Sequence, residues 1–149
     1  MNKNMEKMQY IVVAGLIRNK NKYLVVYKHT STSDKCRNRW ELPGGKVRFG
    51  LGFVDALKEK LNDYLGVDVV VHRLMPKVFS NVSEELTVSK HFYVLVGECK
   101  LLSDGVKLNR KKLSEHKWIT LKEAELLFRD DLLVEGDLEF MRMATKSDS

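Results

Sequence analysis

The sequence predicts an α/β (α+β) fold, and three observations predict it. Apolar, β-branched runs recur at Tyr10–Ile17, Tyr23–His29 and Thr87–Cys99, the pattern of buried strands. One clean helical pattern lies among them, Gly52 to Leu65, with Phe53, Ala56, Leu57, Leu61, Tyr64 and Leu65 at spacings of three and four. No repeat, low-complexity stretch or linker divides the 149 residues, so the expectation is a single domain over residues 1–149.

The elements follow in order. Tyr10–Ile17 and Tyr23–His29 read as a hairpin about the polar turn Asn19–Lys22. Thr30–Arg39 is a polar loop rich in cations. Glu41-Leu42 reads as a short strand running into Pro43-Gly44-Gly45, whose glycines let the backbone approach a ligand. The helix stops at Gly66. Val67–Val71 begins a strand, with Pro76 at a bend or edge. Thr87–Cys99 is a further strand, Lys107–Glu115 a charged loop, and Trp118-Ile119 a short strand. Thr120 caps a helix over Leu121–Phe128, with Glu123 in the capping-box position. A last helix spans about 137–144, and the tail reads as frayed.

Composition excludes several classes. The apolar fraction of 44% is ordinary for a globular chain. No apolar run approaches the roughly 18 residues of a membrane span. The first ten residues lack the apolar middle of a signal peptide. Cys36 and Cys99 are too few for a disulfide framework, so a reducing, cytoplasmic setting is expected. Residues 1–50 hold 11 Lys and Arg against 3 Asp and Glu, while the remainder holds 15 against 17. A basic first third suits phosphate-bearing ligands, and equally a solvated basic face. Nucleic acid is disfavoured: no helix-turn-helix, zinc finger or interleaved aromatic stripe is present.

The stretch Trp40–Val67, WELPGGKVRFGLGFVDALKEKLNDYLGV, resembles the Nudix box of the MutT-type hydrolases, written G-x5-E-x7-R-E-U-x-E-E-x-G-U with U aliphatic. Glu115-x-x-Trp118 before the late helix resembles a second segment of that family. The likeness covers roughly residues 8–128. It implies the Nudix fold, a mixed β-sheet sandwiched between α-helices. It also implies hydrolysis of a nucleoside diphosphate linked to another moiety, with Mg²⁺ or Mn²⁺ held by glutamates on one helix face.

Laid on without gaps, the frame fits and most of the acids do not. Gly45, Leu61, Gly66 and Val67 match. Leu51 falls on the acid before the helix, Glu59-Lys60 on the Arg-Glu pair, and Asp63-Tyr64 on the Glu-Glu pair. Asp63 alone keeps a carboxylate at an acid position. Shifting the frame back by one would put Lys60 at an aliphatic position and turn the apolar face to water. That costs roughly 1.5–3 kcal/mol for each large side chain exposed, so the ungapped frame stands.

The expected site therefore has two halves. Asp63 and Glu59 are the catalytic candidates. Asp55, Glu59 and Asp63, each four apart, are the candidate metal set, against the competing reading of solvent-facing charges or no metal at all. Gly44, Gly45, Lys46, Arg37, Arg39 and Lys60 are the candidate phosphate binders, with Arg48 beside them. Lys60 stands where a principal metal ligand would stand, and an ammonium there repels Mg²⁺ yet neutralises a phosphate. The partner is a nucleotide or phosphorylated small molecule, and a homodimer stays open. Ordinary metal-dependent catalysis is expected to be impaired, with a non-catalytic binding module as the alternative. Tyr23, Tyr27, Phe79 and Phe92 are candidates for stacking a base. Glu84, Glu85, Glu98 and Glu115 are candidates for a replacement base. Trp40 is expected to pack beside the box.

Overall fold

The computed structural model describes residues 5–29 and 38–146. Arg37 and Cys36 lie outside the described residues.

The first strand, β1 (Glu6–Asn19), outruns its apolar core at both ends. Its opening residues are exposed, and backbone pairing carries them: Glu6 through Ile17 run parallel to Val88 through Cys99 of β5 (Val88–Leu101). The next strand, β2 (Lys22–Tyr27), returns through a turn with Lys20 at φ 57°. It pairs with β1 only at Arg18–Tyr23 and Asn19–Lys22. The expected hairpin is thus brief, and the freed edge of β1 takes β3 (Gly44–Lys46) at Val12–Ala14.

The strand expected at Glu41-Leu42 reduces to one bridge, Glu41 to Val26. The short strand begins instead at Gly44, and the reason is steric. A Cβ on Gly44 would lie 1.9 Å from the Val13 carbonyl oxygen and 2.7 Å from Ala14 Cα. Only glycine lets the chain come this close.

The helix α1 (Phe53–Leu65) ends as expected: Gly66 is left-handed at φ 61° and its amide donates to the Asn62 carbonyl. Strand β4 (Val69–Glu84) follows at the sheet edge, with irregularities between Val71 and Arg73 and between Leu74 and Val78, the second spanning Pro76. Strand β6 (Glu115–Thr120) is longer than the expected Trp118-Ile119. Glu115, His116 and Lys117 are exposed, which makes them read as loop, yet their backbones pair with Tyr27, Val26 and Val25. Thr120 and Glu123 form a reciprocal capping box at the start of α2 (Leu121–Arg129). The final helix α3 (Asp137–Lys146) runs two residues past expectation.

The strands make a six-stranded mixed sheet in the order β4-β5-β1-β2-β6, with β3 added to β1. Period-two alternation divides the core between its faces. Val13, Ile17, Leu24 and Val26 pack against Ala56, Leu57, Leu61 and Leu65 of α1. Ala14, Leu16, Tyr23 and Val25 pack with Leu138, Phe140, Met141 and Ala144 of α3. The mixed sheet is sandwiched between helices, as the sequence led us to expect. Trp40 is a correction. It joins the α3 side, bridging to Leu133 and lying 5.4 Å from the Tyr27 ring, rather than packing beside the box. Among the described residues no helix is long and apolar enough to cross a membrane.

Candidate functional site

Because Gly44 locks β3 against β1, the turn at Pro43-Gly44-Gly45 sits between the two layers. A cavity of about 310 Å³ opens on the α3 side. Phe79, Phe92, Phe140, Val12, Val94 and Val134 give it an apolar wall; Gly44, Gly45 and Lys46 lie along it. Its polar lining is mixed in charge: Asn81, Ser83, Asp137, Glu41, Glu135, Lys28 and the Glu85–Lys90 ion pair at 3.2 Å. A concave apolar site with a few polar groups is the usual form of a small-molecule pocket.

Asp137 is the least expected member. It begins α3, is buried, and accepts the Leu42 amide at 2.9 Å. Burial pushes its carboxyl up to about 8; the Leu42 bond opposes this and the Glu41 charge adds to it. Near neutral pH it holds its proton, so it can donate as well as accept.

On the α1 side, Gly45 meets the helix. The position a Cβ would occupy there lies 3.2 Å from Lys60 Cδ, 3.3 Å from Tyr64 Oη and 3.4 Å from Lys60 Cε. Burial raises the Tyr64 hydroxyl above its ordinary value, reinforced by the charges of Asp63 and Glu41. The phenol therefore stays protonated. Leu51 packs with the α1 core instead of standing in solvent as an acid would.

The candidate cations separate into two groups. Arg39 is forked onto Asp131, at 2.9 and 3.2 Å. Arg48 is held to Glu59 at 3.0 Å, tying the loop before α1 to the helix. That hydrogen bond holds the Glu59 carboxyl below its usual range. Lys28, Lys46 and Lys60 form no ion pair with a described carboxylate. Lys46 Nζ lies 4.0 Å above the Tyr10 ring, and that ring stacks on Phe92. Lys28, just past the end of β2, lines the same cavity and was not singled out by the sequence.

The candidate acids are not gathered. Among the described residues no three His, Cys, Asp or Glu side chains form a group able to hold a metal ion. Glu59 belongs to Arg48, and the turn that a cation would share with the helix is bordered by the Lys60 stem and the Tyr64 hydroxyl. Hard divalent ions need several oxygen ligands, so these residues do not fit one. Of the replacement bases, Glu85 faces the cavity but pairs with Lys90, Glu98 pairs with Arg73, and Glu115 lies 3.5 Å from His29. Of the stacking candidates, Phe79 and Phe92 line the cavity while Tyr23 is core.

A mixed sheet between helices, with a glycine turn pressed against one helix and a cavity behind it, makes this an α+β protein with a concave site beside the turn. Solved structures agree. The MutT protein from Methanosarcina mazei Go1 superposes with a TM-score of 0.76 at 23% identity, covering 97% of this chain and 99% of that one. The MutT NUDIX hydrolase from Burkholderia pseudomallei gives 0.69 at 16%, covering 91% and 97%. An ADP-ribose pyrophosphatase from Streptococcus suis 89-1591 gives 0.57 at 18%, covering 93% and 91%. No curated protein matches significantly in sequence. The NUDIX domain model matches residues 8–142, and the chain belongs to the Nudix family.

Proposed function

We propose that this chain takes a nucleoside diphosphate linked to another moiety, with its ring in the cavity and its diphosphate along Gly44-Gly45. The observation that carries the reading is the cavity itself. Phe79 and Phe92 offer ring faces, and Asn81 and a protonated Asp137 offer edge hydrogen bonds. Lys28 and Lys46 line the same cavity and supply positive charge for the phosphates.

The family's reaction is hydrolysis, and metal-dependent hydrolysis is impaired here. Leu51 is committed to the core, Lys60 and Tyr64 border Gly45, and Glu59 is bound to Arg48. An ammonium can balance phosphate charge but does not lower the pKa of a water into the range of a good nucleophile. Release of phosphate or nucleotide from a panel of nucleoside diphosphate-X compounds, with Mg²⁺ and with Mn²⁺, tests this. Slow turnover of at least one compound supports a weakened hydrolase. Saturable binding with no turnover at high protein concentration supports the second reading, a nucleotide-binding module without catalysis. Absence of both rejects the proposal.

A further inference from the structure

We propose that Lys60 is a built-in counter-cation for the ligand's diphosphate, so that capture over Gly44-Gly45 needs no divalent metal. The identity of the ligand rests on the nucleotide reading above; the anion chemistry rests on the side chains alone.

Three observations converge. The Lys60 stem lies against Gly45, within 3.2 to 3.4 Å of where a Cβ would be, which carries its ammonium to the turn. That stem is partly buried beside Tyr64, with Nζ 5.8 Å from the ring. Less side-chain freedom is then lost when an anion binds. Lys60 also pairs with no described carboxylate, because its neighbour Glu59 is already taken by Arg48.

The Tyr64 hydroxyl, 3.3 Å from the same point, adds an O–H donor. Lys28 and Lys46 line the cavity behind the turn, Lys46 with its Nζ 4.0 Å above the Tyr10 ring. Their charge on that side is offset by the Glu41 and Glu135 carboxylates, which line the same cavity, so Lys60 is the cation held against the glycine pair itself. Its ammonium offsets part of the two to three negative charges of a diphosphate, with the Tyr64 hydroxyl as a donor beside it. A divalent ion placed here would meet the Lys60 charge at close range, in partly desolvated surroundings where repulsion is strong.

The test is titration calorimetry with inorganic pyrophosphate and with ADP, GDP, CDP and UDP, each in EDTA and again in MgCl₂. The expected result is binding whose affinity agrees within about threefold between the two conditions. Lys60→Met should weaken it by about tenfold in both, and Lys60→Arg should stay within about threefold of the parent. Circular dichroism checks that the variants fold, and if Lys60→Met does not, the parent and Lys60→Arg in EDTA decide the matter. A parent that binds more than tenfold tighter in Mg²⁺, or a folded Lys60→Met that binds like the parent, overturns the inference while leaving the nucleotide reading intact. Pyrophosphate binding that depends on Lys60 without any gain from a nucleoside upholds the inference and removes the nucleotide reading. No binding of any probe in either condition overturns both.

Discussion

Gly44 shows how much one missing atom can decide. Its neighbours at 1.9 and 2.7 Å are backbone, which cannot rotate aside as a side chain can. Gly44→Ala should therefore cost about 3 kcal/mol in urea unfolding. Gly52→Ala, with nothing within 4 Å, should change stability by less than about 1 kcal/mol. Asp137 makes a different prediction at the same scale. Its folded carboxyl sits at about 8 against an ordinary 3.8. The folded state keeps a proton that the unfolded chain releases across that window. This contribution to stability is fully present below about pH 4, is lost as pH rises toward 8, and is flat above. Asp137→Asn can still accept the Leu42 amide but does not titrate. Its melting temperature relative to the parent should rise by at least about 3 °C between pH 5 and pH 9. Only one of these two roles was legible beforehand. The glycine turn was, because glycine has few other uses in such a place. Asp137 was not, because the amide it accepts, that of Leu42, is distant in sequence.

At the scale of elements, α1 was the most legible part of the chain. Its apolar spacing fixed which face meets the sheet, and the same spacing fixed which residues stand at the acid positions. The structure adds what those residues do: Leu51 packs into the core, Lys60 and Tyr64 border Gly45, and Glu59 ties the helix to Arg48. A variant carrying Leu51→Glu, Lys60→Glu and Tyr64→Glu should gain divalent-metal affinity, read by Mn²⁺ electron paramagnetic resonance. A folded triple variant that binds Mn²⁺ no better than the parent would show that the metal face has been placed wrongly. Caps were legible too, since Thr120 and Glu123 sit at the required spacing. Thr120→Ala should cost about 1 kcal/mol. Strand ends were not legible. Glu6–Gln9 and Glu115–Lys117 are held by backbone pairing with exposed side chains, so no hydrophobic pattern marks them.

At the scale of the whole molecule, the sheet separates two tasks. The α1 face stabilises the fold and presents Lys60 and Tyr64 to the turn; the α3 face encloses the cavity. The parallel pairing of β1 with β5 joins them, setting Tyr10 opposite Phe92, Val12 opposite Val94 and Ala14 opposite Val96. The sequence announced the layers through alternating burial, but the cavity is assembled from Lys28, Phe79, Phe92 and Asp137, residues with no shared motif. The central claim is that the turn and cavity are built for a diphosphate ligand while the helix face opposite is no longer built for a metal. A crystal soaked with Mn²⁺ and a non-hydrolysable nucleoside diphosphate analogue tests it most directly, with anomalous scattering to locate the manganese. Phosphates are expected over Gly44-Gly45 within hydrogen-bonding distance of Lys60 Nζ, with no manganese on Asp55, Glu59 or Asp63. Manganese coordinated by those carboxylates and by the phosphates, with Lys60 swung away from Gly45, would contradict it.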